Sequence, residues 1–234
     1  MKTQPRLLVA ACAALLVLGA GSSGSADTQN GTEEAKRIQK SIDTLQKLTA
    51  APDDGIPKHL LQRAEAIIVI PDLLKGGFVV GGSHGKGVIS VRNGTEWSAP
   101  AFVQMTGGSI GWQIGVQSVD LVLLVMNRQG VDDLLNNKFK IGGNLSLAAG
   151  PVGRAAEAST DAKFSSQILA YSRAKGLFAG ATLEGAGMPA DEDDNADLYG
   201  AEASLREITS GRRTPITDTA AVTAWKDAIK RIAG

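Results

Sequence analysis

The sequence predicts an α+β domain: an antiparallel β-sheet or barrel-like core of many short Gly-rich strands, with an amphipathic helix at each end. Three observations predict it. Twenty of the 28 glycines fall between Gly76 and Gly187, interleaved with short Val/Ile/Leu runs, a density that marks tight turns and close backbone packing. Ile38, Ile42, Leu45 and Leu48 recur at helical spacing before that block. Val222, Trp225, Ile229 and Ile232 do so after it.

The elements follow in order. Thr32 is placed to cap the first helix, with Glu33 and Glu34 at its positive end and Pro52 to Gly55 after it. Pro57 opens a second, short helix to Ala64. Ile67 to Ile70 reads as a strand buried on both faces. Phe78 to Val80 and Val88 to Val91 flank the glycine-rich stretch 81–87, which predicts a hairpin turn there. Asn93-Gly94 predicts a type I′ turn, with a strand from Trp97 to Met105. Further strands are expected at 110–117, 119–126, 140–149, 166–172 and 177–183, and helices at 131–137 and 198–209. A last helix is expected from Thr217, with Lys226, Lys230 and Arg231 near its C-terminal end.

The expected organisation is a leader over residues 1–26, an amphipathic helical segment over 27–62, a β-rich domain over 63–211 and a C-terminal amphipathic helix over 212–234. Lys2 and Arg6 precede the apolar run Leu7 to Ala20, and Gly24-Ser25-Ala26 offers a cleavage site before Asp27. Removing residues 1–26 leaves 22 basic against 24 acidic residues. Cys12 is the one cysteine, and Val9-Ala10-Ala11-Cys12 also fits a lipoprotein cleavage site. The leader reading discards Cys12; the alternative acylates it. Either way the expected location is exported, periplasmic or outer-membrane associated.

Composition narrows the function. A formal charge of zero, with no interleaving of basic and aromatic residues, argues against nucleic-acid binding. Gly81-Gly82-Ser83-His84-Gly85 and Gly107-Gly108-Ser109-Ile110-Gly111 both fit Gly-x-Ser-x-Gly. The nucleophile elbow must lead into a helix, and no histidine follows His84. Around Gly85-Lys86, Val80 and Gly87 stand where a phosphate loop needs Gly and Ser or Thr. His59 and His84 make no zinc set. No enzyme activity and no cofactor is expected. Asp191, Asp193, Asn195, Asp197 and Glu202 match calcium-loop positions, but Ala196 replaces the glycine such loops need. They form a weak calcium candidate, set against an acidic segment capping a helix.

The stripe Ile38, Ile42, Leu45 has two readings. It packs on the β core, or it lies in a membrane interface with Lys36, Arg37, Lys40 and Lys47 on anionic headgroups. The tail helix carries the same two readings.

The quoted runs also carry a resemblance. Ala66-Ile67-Ile68-Val69-Ile70-Pro71, Lys75-Gly76-Gly77-Phe78, Trp97-Ser98-Ala99-Pro100, Gly111-Trp112-Gln113-Ile114-Gly115, Ala149 to Arg154 and Tyr171 to Gly180 come in one order over about 150 residues. This block resembles the SYLF domain, also described as the Ysc-type actin-binding domain. The resemblance implies binding of lipid, phosphoinositides above all in eukaryotic members, and of actin in some fungal ones. Positionally, Lys36, Arg37, Lys40 and Lys47 match the basic helix that contributes to membrane contact there. The expectation is an exported, bacterial, non-catalytic protein that binds anionic membrane lipid peripherally, with Ile38, Ile42 and Leu45 inserted. The alternative is a structural or protein-interaction module of the envelope, actin-binding-like in kind, with an envelope protein as partner.

Overall fold

The structure, a computed structural model, describes residues 32–51, 55–136, 146–152, 167–173 and 185–234. These residues fall in a unit that begins at Gly31. Its helices are α1 (Glu33–Thr49), α2 (Lys58–Arg63), α3 (Arg128–Leu135), α4 (Glu192–Tyr199), α5 (Leu205–Thr209) and α6 (Thr219–Ala233). Its strands are β1 (Ala66–Asn93), β2 (Glu96–Trp97), β3 (Ala101–Val125), β4 (Leu147–Ala149) and β5 (Ile168–Arg173). The sheet runs β2-β1-β3-β5-β4. All neighbours are antiparallel except β4 and β5. The α+β class with a helix at each end holds, and the sheet is open, not a barrel.

Its centre is one long ribbon rather than many short strands. β1 and β3 pair from Ala66↔Val125 to Ile89↔Ala101. The glycines at 81–87, expected to turn, lie inside the strand. Drawn straight, 28 residues would span about 90 Å. The ribbon instead curls until its ends meet: Glu65 donates its N–H to Val125 at 2.8 Å, and its carbonyl accepts the N–H of Arg92 at 2.8 Å. A bulge between Ile70 and Leu73 and a register shift between Gly77 and Val79 interrupt the ladder, as bulges do where sheets bend. Pro71, which cannot donate to a ladder, and Asp72, at φ +46°, occupy the bulge.

The curl explains Gly85 and Gly87. A Cβ on Gly87 would stand 2.1 Å from the Val69 carbonyl oxygen and 2.9 Å from the Ile70 Cα. Both are backbone atoms and cannot swing away. Gly87→Ala is therefore expected to destabilise by about 3 kcal/mol, the upper part of the overpacking range. Urea unfolding of this variant and of Gly108→Ala, where an added Cβ meets nothing within 4 Å, checks it; equal midpoints would refute the close approach.

The turn after β1 centres on Gly94-Thr95, since Asn93 pairs with Glu96. Positive φ at Gly94 alone is the sign pattern of a II′ hairpin, not the expected I′. Ile67 to Ile70 are fully buried, as a strand covered on both faces should be. Strand 119–126 and strand 110–117 are one continuous β3, and the helix expected at 131–137 begins earlier, at Arg128. The helix expected over 198–209 is two, because Gly200 at φ +87° breaks it after Tyr199. Ser204 and Glu207 then form a capping box for α5. The strand expected at 177–183 lies outside the described residues.

α1 and α6 pack side by side against the ribbon. Thr32, the α1 N-cap, donates its hydroxyl to the carboxylate of Asp218, the α6 N-cap residue. At the far ends, Arg92 donates to the carbonyls of Leu61 (3.2 Å), Ala64 (2.9 Å) and Ala233 (2.9 Å). Gln62 reaches the Gly234 carbonyl at 3.2 Å. The two long helices are thus parallel. Carboxylates lie at their positive ends and a guanidinium at α6's negative end, the arrangement that offsets aligned helix dipoles.

Candidate functional site

Ile38, Ile42, Leu45 and Leu48 all lie in the core. They face the sheet and α6, so the stripe is the packing face of α1 and not a membrane-inserting one. Each contributes roughly 1.5–3 kcal/mol by leaving water. Ile42→Asp with Leu45→Asp is expected to unfold the domain. Loss of the cooperative thermal transition checks this; a folded double variant would return the stripe to the surface. The tail helix behaves likewise, since Val222, Trp225 and Ile229 are buried. Among the described residues, no helix is long and apolar enough to cross a membrane.

The cations of α1 are largely matched by acids of the same fold. Lys36 pairs with Glu33 at 2.9 Å. Lys40 pairs with Asp72 at the bulge, where Ser118 also donates to the Asp72 carboxylate at 3.2 Å. Lys40 foremost holds the Asp72 carboxyl below its usual range. The contact therefore persists above the ordinary carboxylate value and is lost as pH falls through the lowered one. Lys47 is exposed at the end of α1.

Arg37 is consumed in the densest polar cluster among the described residues. Its guanidinium contacts Asp191 at 3.2 Å and also Asp194. Lys86, from β1, reaches Asp191 at 2.7 Å and Asp194 at 3.3 Å. Gln104, from β3, donates to Asp191 at 2.8 Å. Phe102 lies under Arg37, 5.2 Å from ring centroid to guanidinium. Burial lowers the Arg37 pKa, opposed by the Asp191 charge. Two cations and two carboxylates cancel, so the cluster joins α1, β1, β3 and α4 without offering a net charge to a ligand. Beside it, Asn195 exchanges two 2.8 Å hydrogen bonds with the Phe102 backbone, and Tyr199 donates to the Pro100 carbonyl at 2.5 Å.

This settles where the calcium candidates stand. Asp191 and Asn195 face the protein, while Asp193 and Asp197 are exposed along α4 and Glu202 lies past its end. A helix spreads these residues around its axis, where a calcium loop would wrap them about one point. The capping alternative read from the sequence does not hold either: the acids lie within α4, which ends at Tyr199 instead of starting near Leu198, and Asp191, its N-cap residue, makes no side-chain capping bond. Among the described residues, no group of three His, Cys, Asp or Glu side chains is arranged to hold a metal. Ser83 and His84 lie mid-strand in β1, with Ser83 donating to the Gly107 carbonyl at 3.5 Å. His59 is exposed on α2.

What the sequence reading missed is an apolar spot on the ribbon. Leu74 is 51% exposed and Val116 81%. In the ladder Leu74 opposes Ser118 and Val116 opposes Gly76. Two-residue periodicity puts Leu74 and Val116 on one face as diagonal neighbours, about 7–8 Å apart. No helical stripe or charge run marks them; the signal was an apolar residue opposite glycine in a paired register.

Comparison with known proteins now adds to this geometry. A family model described as "Ysc84: Las17-binding protein actin regulator" matches residues 106–232. The chain is 36% identical over 186 residues to protein YSC84 of Saccharomyces cerevisiae, covering 77% of this chain and 39% of that protein. The chain belongs to the Ysc84 family. It is 35% identical over 189 residues to LAS seventeen-binding protein 3 of the same yeast, covering 79% of this chain and 40% of that one. It is 30% identical over 186 residues to the human SH3 domain-containing YSC84-like protein 1, covering 78% and 54%. The chain thus spans about two fifths to half the length of these Ysc84-family relatives. The family match takes in β3 from Thr106 onward, the α4 acids and α6 as far as Ile232.

Proposed function

We propose that this chain is a non-catalytic protein-interaction module of the actin-regulator kind, binding its partner through the ribbon face that carries Leu74 and Val116. The observation that carries the reading is the family match, whose printed description is of a Las17-binding actin regulator. The buried α1 stripe adds to it by removing the inserting surface that peripheral lipid binding was expected to use. Two exposed aliphatic side chains on a rigid paired ribbon suit a protein contact, where apolar anchors on pre-ordered backbone lose little entropy.

Filament co-sedimentation of residues 27–234 with actin, beside vesicle co-sedimentation with anionic and phosphoinositide-containing liposomes, tests the proposal. Pelleting with filaments, lost in Leu74→Asp with Val116→Asp, supports it. Pelleting only with anionic vesicles, weakened by salt, would overturn it for the lipid reading, with Lys40 and Lys47 as surface contacts. Failure to pellet with either would overturn the actin-type reading.

Export is proposed with it. In this reading residues 1–26 are a leader and the partner is met in the envelope. Intact mass of the secreted protein should begin at Asp27; a diacylated product beginning at Cys12 would replace the cleaved leader with a lipid anchor.

A further inference from the structure

The parallel packing of α1 and α6 leaves a group of acids at one end of the pair and a group of cations at the other. At the N-terminal end of the pair stand Glu34, Asp193, Asp197 and Asp218. Thr32 hydrogen-bonds Asp218, and Thr217 donates to the Asp197 carbonyl at 3.2 Å. Arg37 draws the start of α4 to the second turn of α1. The nearby cations are neutralised internally, Lys36 by Glu33 and Arg37 by Asp191 and Asp194. At the C-terminal end stand Lys47 on α1, Lys58 on α2, and Lys230 and Arg231 on α6, all exposed, with the exposed Asp227 one turn before the last two. Gln62 and Arg92 hold α2 against the end of α6. Lys230 has Glu96 at 3.6 Å; the other three have no ion-pair partner within 4 Å among the described residues. The ends lie about 22 Å apart, the length of a 15-residue helix.

The geometry points to head-to-tail association of this chain with a second copy, the basic end of one molecule meeting the acidic end of the next. Charge complementarity names the occupant. Each end carries a surplus of opposite sign, while residues 27–234 have 22 basic against 24 acidic residues, too small a net charge to keep copies apart. Helix C-termini facing helix N-termini add dipole attraction of the same sign. Because the two surfaces differ, the contact is heterologous and leads to open chains rather than a closed dimer. At roughly 22 Å, two to three Debye lengths at physiological salt, the two ends act as separate patches.

Sedimentation velocity on residues 27–234, across a concentration series at low and high salt, tests this. The expected result is a sedimentation coefficient that rises with concentration at low salt and stays at the monomer value at high salt. Lys230→Glu with Arg231→Glu removes the surplus of the basic end; Asp193→Lys with Asp197→Lys cancels that of the acidic end. Each double variant alone should stay monomeric, and an equimolar mixture should associate again. That recovery separates a lost contact from a lost fold, as does retention of each variant's thermal transition. A monomeric wild type at low salt, association indifferent to salt, or a mixture that stays monomeric would each overturn the proposal.

Discussion

Trp225→Ala should lower the unfolding free energy by about 3–5 kcal/mol, the range for truncating a large buried aromatic. Trp225 is the largest fully buried side chain among the described residues. Its indole N–H donates to the Ser90 hydroxyl at 2.7 Å, and that hydroxyl donates to the Ser98 carbonyl at 3.1 Å. The truncation removes the knob that seats α6 on β1 and strips one bond from a buried chain of three groups. Trp97 supplies the control. It too is buried, under the Arg92 guanidinium at 4.3 Å, but its indole N–H has no partner. Trp→Phe should therefore cost more at position 225 than at 97, by about 1 kcal/mol, the worth of a net hydrogen bond. Urea midpoints at unchanged m-value measure both. Equal costs would show that the Ser90 contact contributes nothing.

Asp191→Ala should destabilise by about 3 kcal/mol. Removing one member of a buried ion cluster strands its partners, and the penalty for a well-buried charge is about 3–5 kcal/mol. The lower end applies because the Lys86 side chain is 37% exposed and can turn to water. Gln104 loses its acceptor as well. The coupling is the sharper measurement. In a double-mutant cycle of Arg37→Met with Asp191→Asn, the second change should cost much less once the first is made. Additive losses would mean that α1 is held by its apolar stripe alone.

Much of this fold is legible in the sequence, for reasons that separate clearly. The α1 and α6 stripes are local, four residues at a helical period, and so are the Ser204–Glu207 and Thr32 caps. The run Ala66 to Ile70 reads correctly because every side chain in it is apolar. The stretch 81–87 misleads because glycine has two uses. It reads as a turn, while Gly85 and Gly87 lack side chains so that one half of β1 can press on Ile70 and Leu73 of the other. Nothing within seven residues distinguishes these uses. The Arg37–Asp191 contact joins positions 154 apart, and from sequence Arg37 looked like one more basic residue on an exposed face. The α1 stripe carried the same ambiguity, since amphipathicity states that a face avoids water and not what covers it. The exposed pair Leu74 and Val116 needed the ladder register before it could be seen.

The hydroxyl of Thr32 and the carboxylate of Asp218 lie 186 positions apart, and that separation governs how the chain acquires its shape in time. The ribbon can zip as soon as Val125 is made, because its pairs grow outward from the turn at Gly94. The face of β1 that α1 and α6 share remains open until Trp225 and Ile229 arrive. The final seal therefore closes a very long loop, a slow step of the kind that high contact order imposes. A chain in which α6 has not yet formed would hold a paired ribbon with an unsealed apolar face, open to aggregation and to chaperones. Docking of α6, rather than formation of the sheet, is the event that commits this domain to its native state.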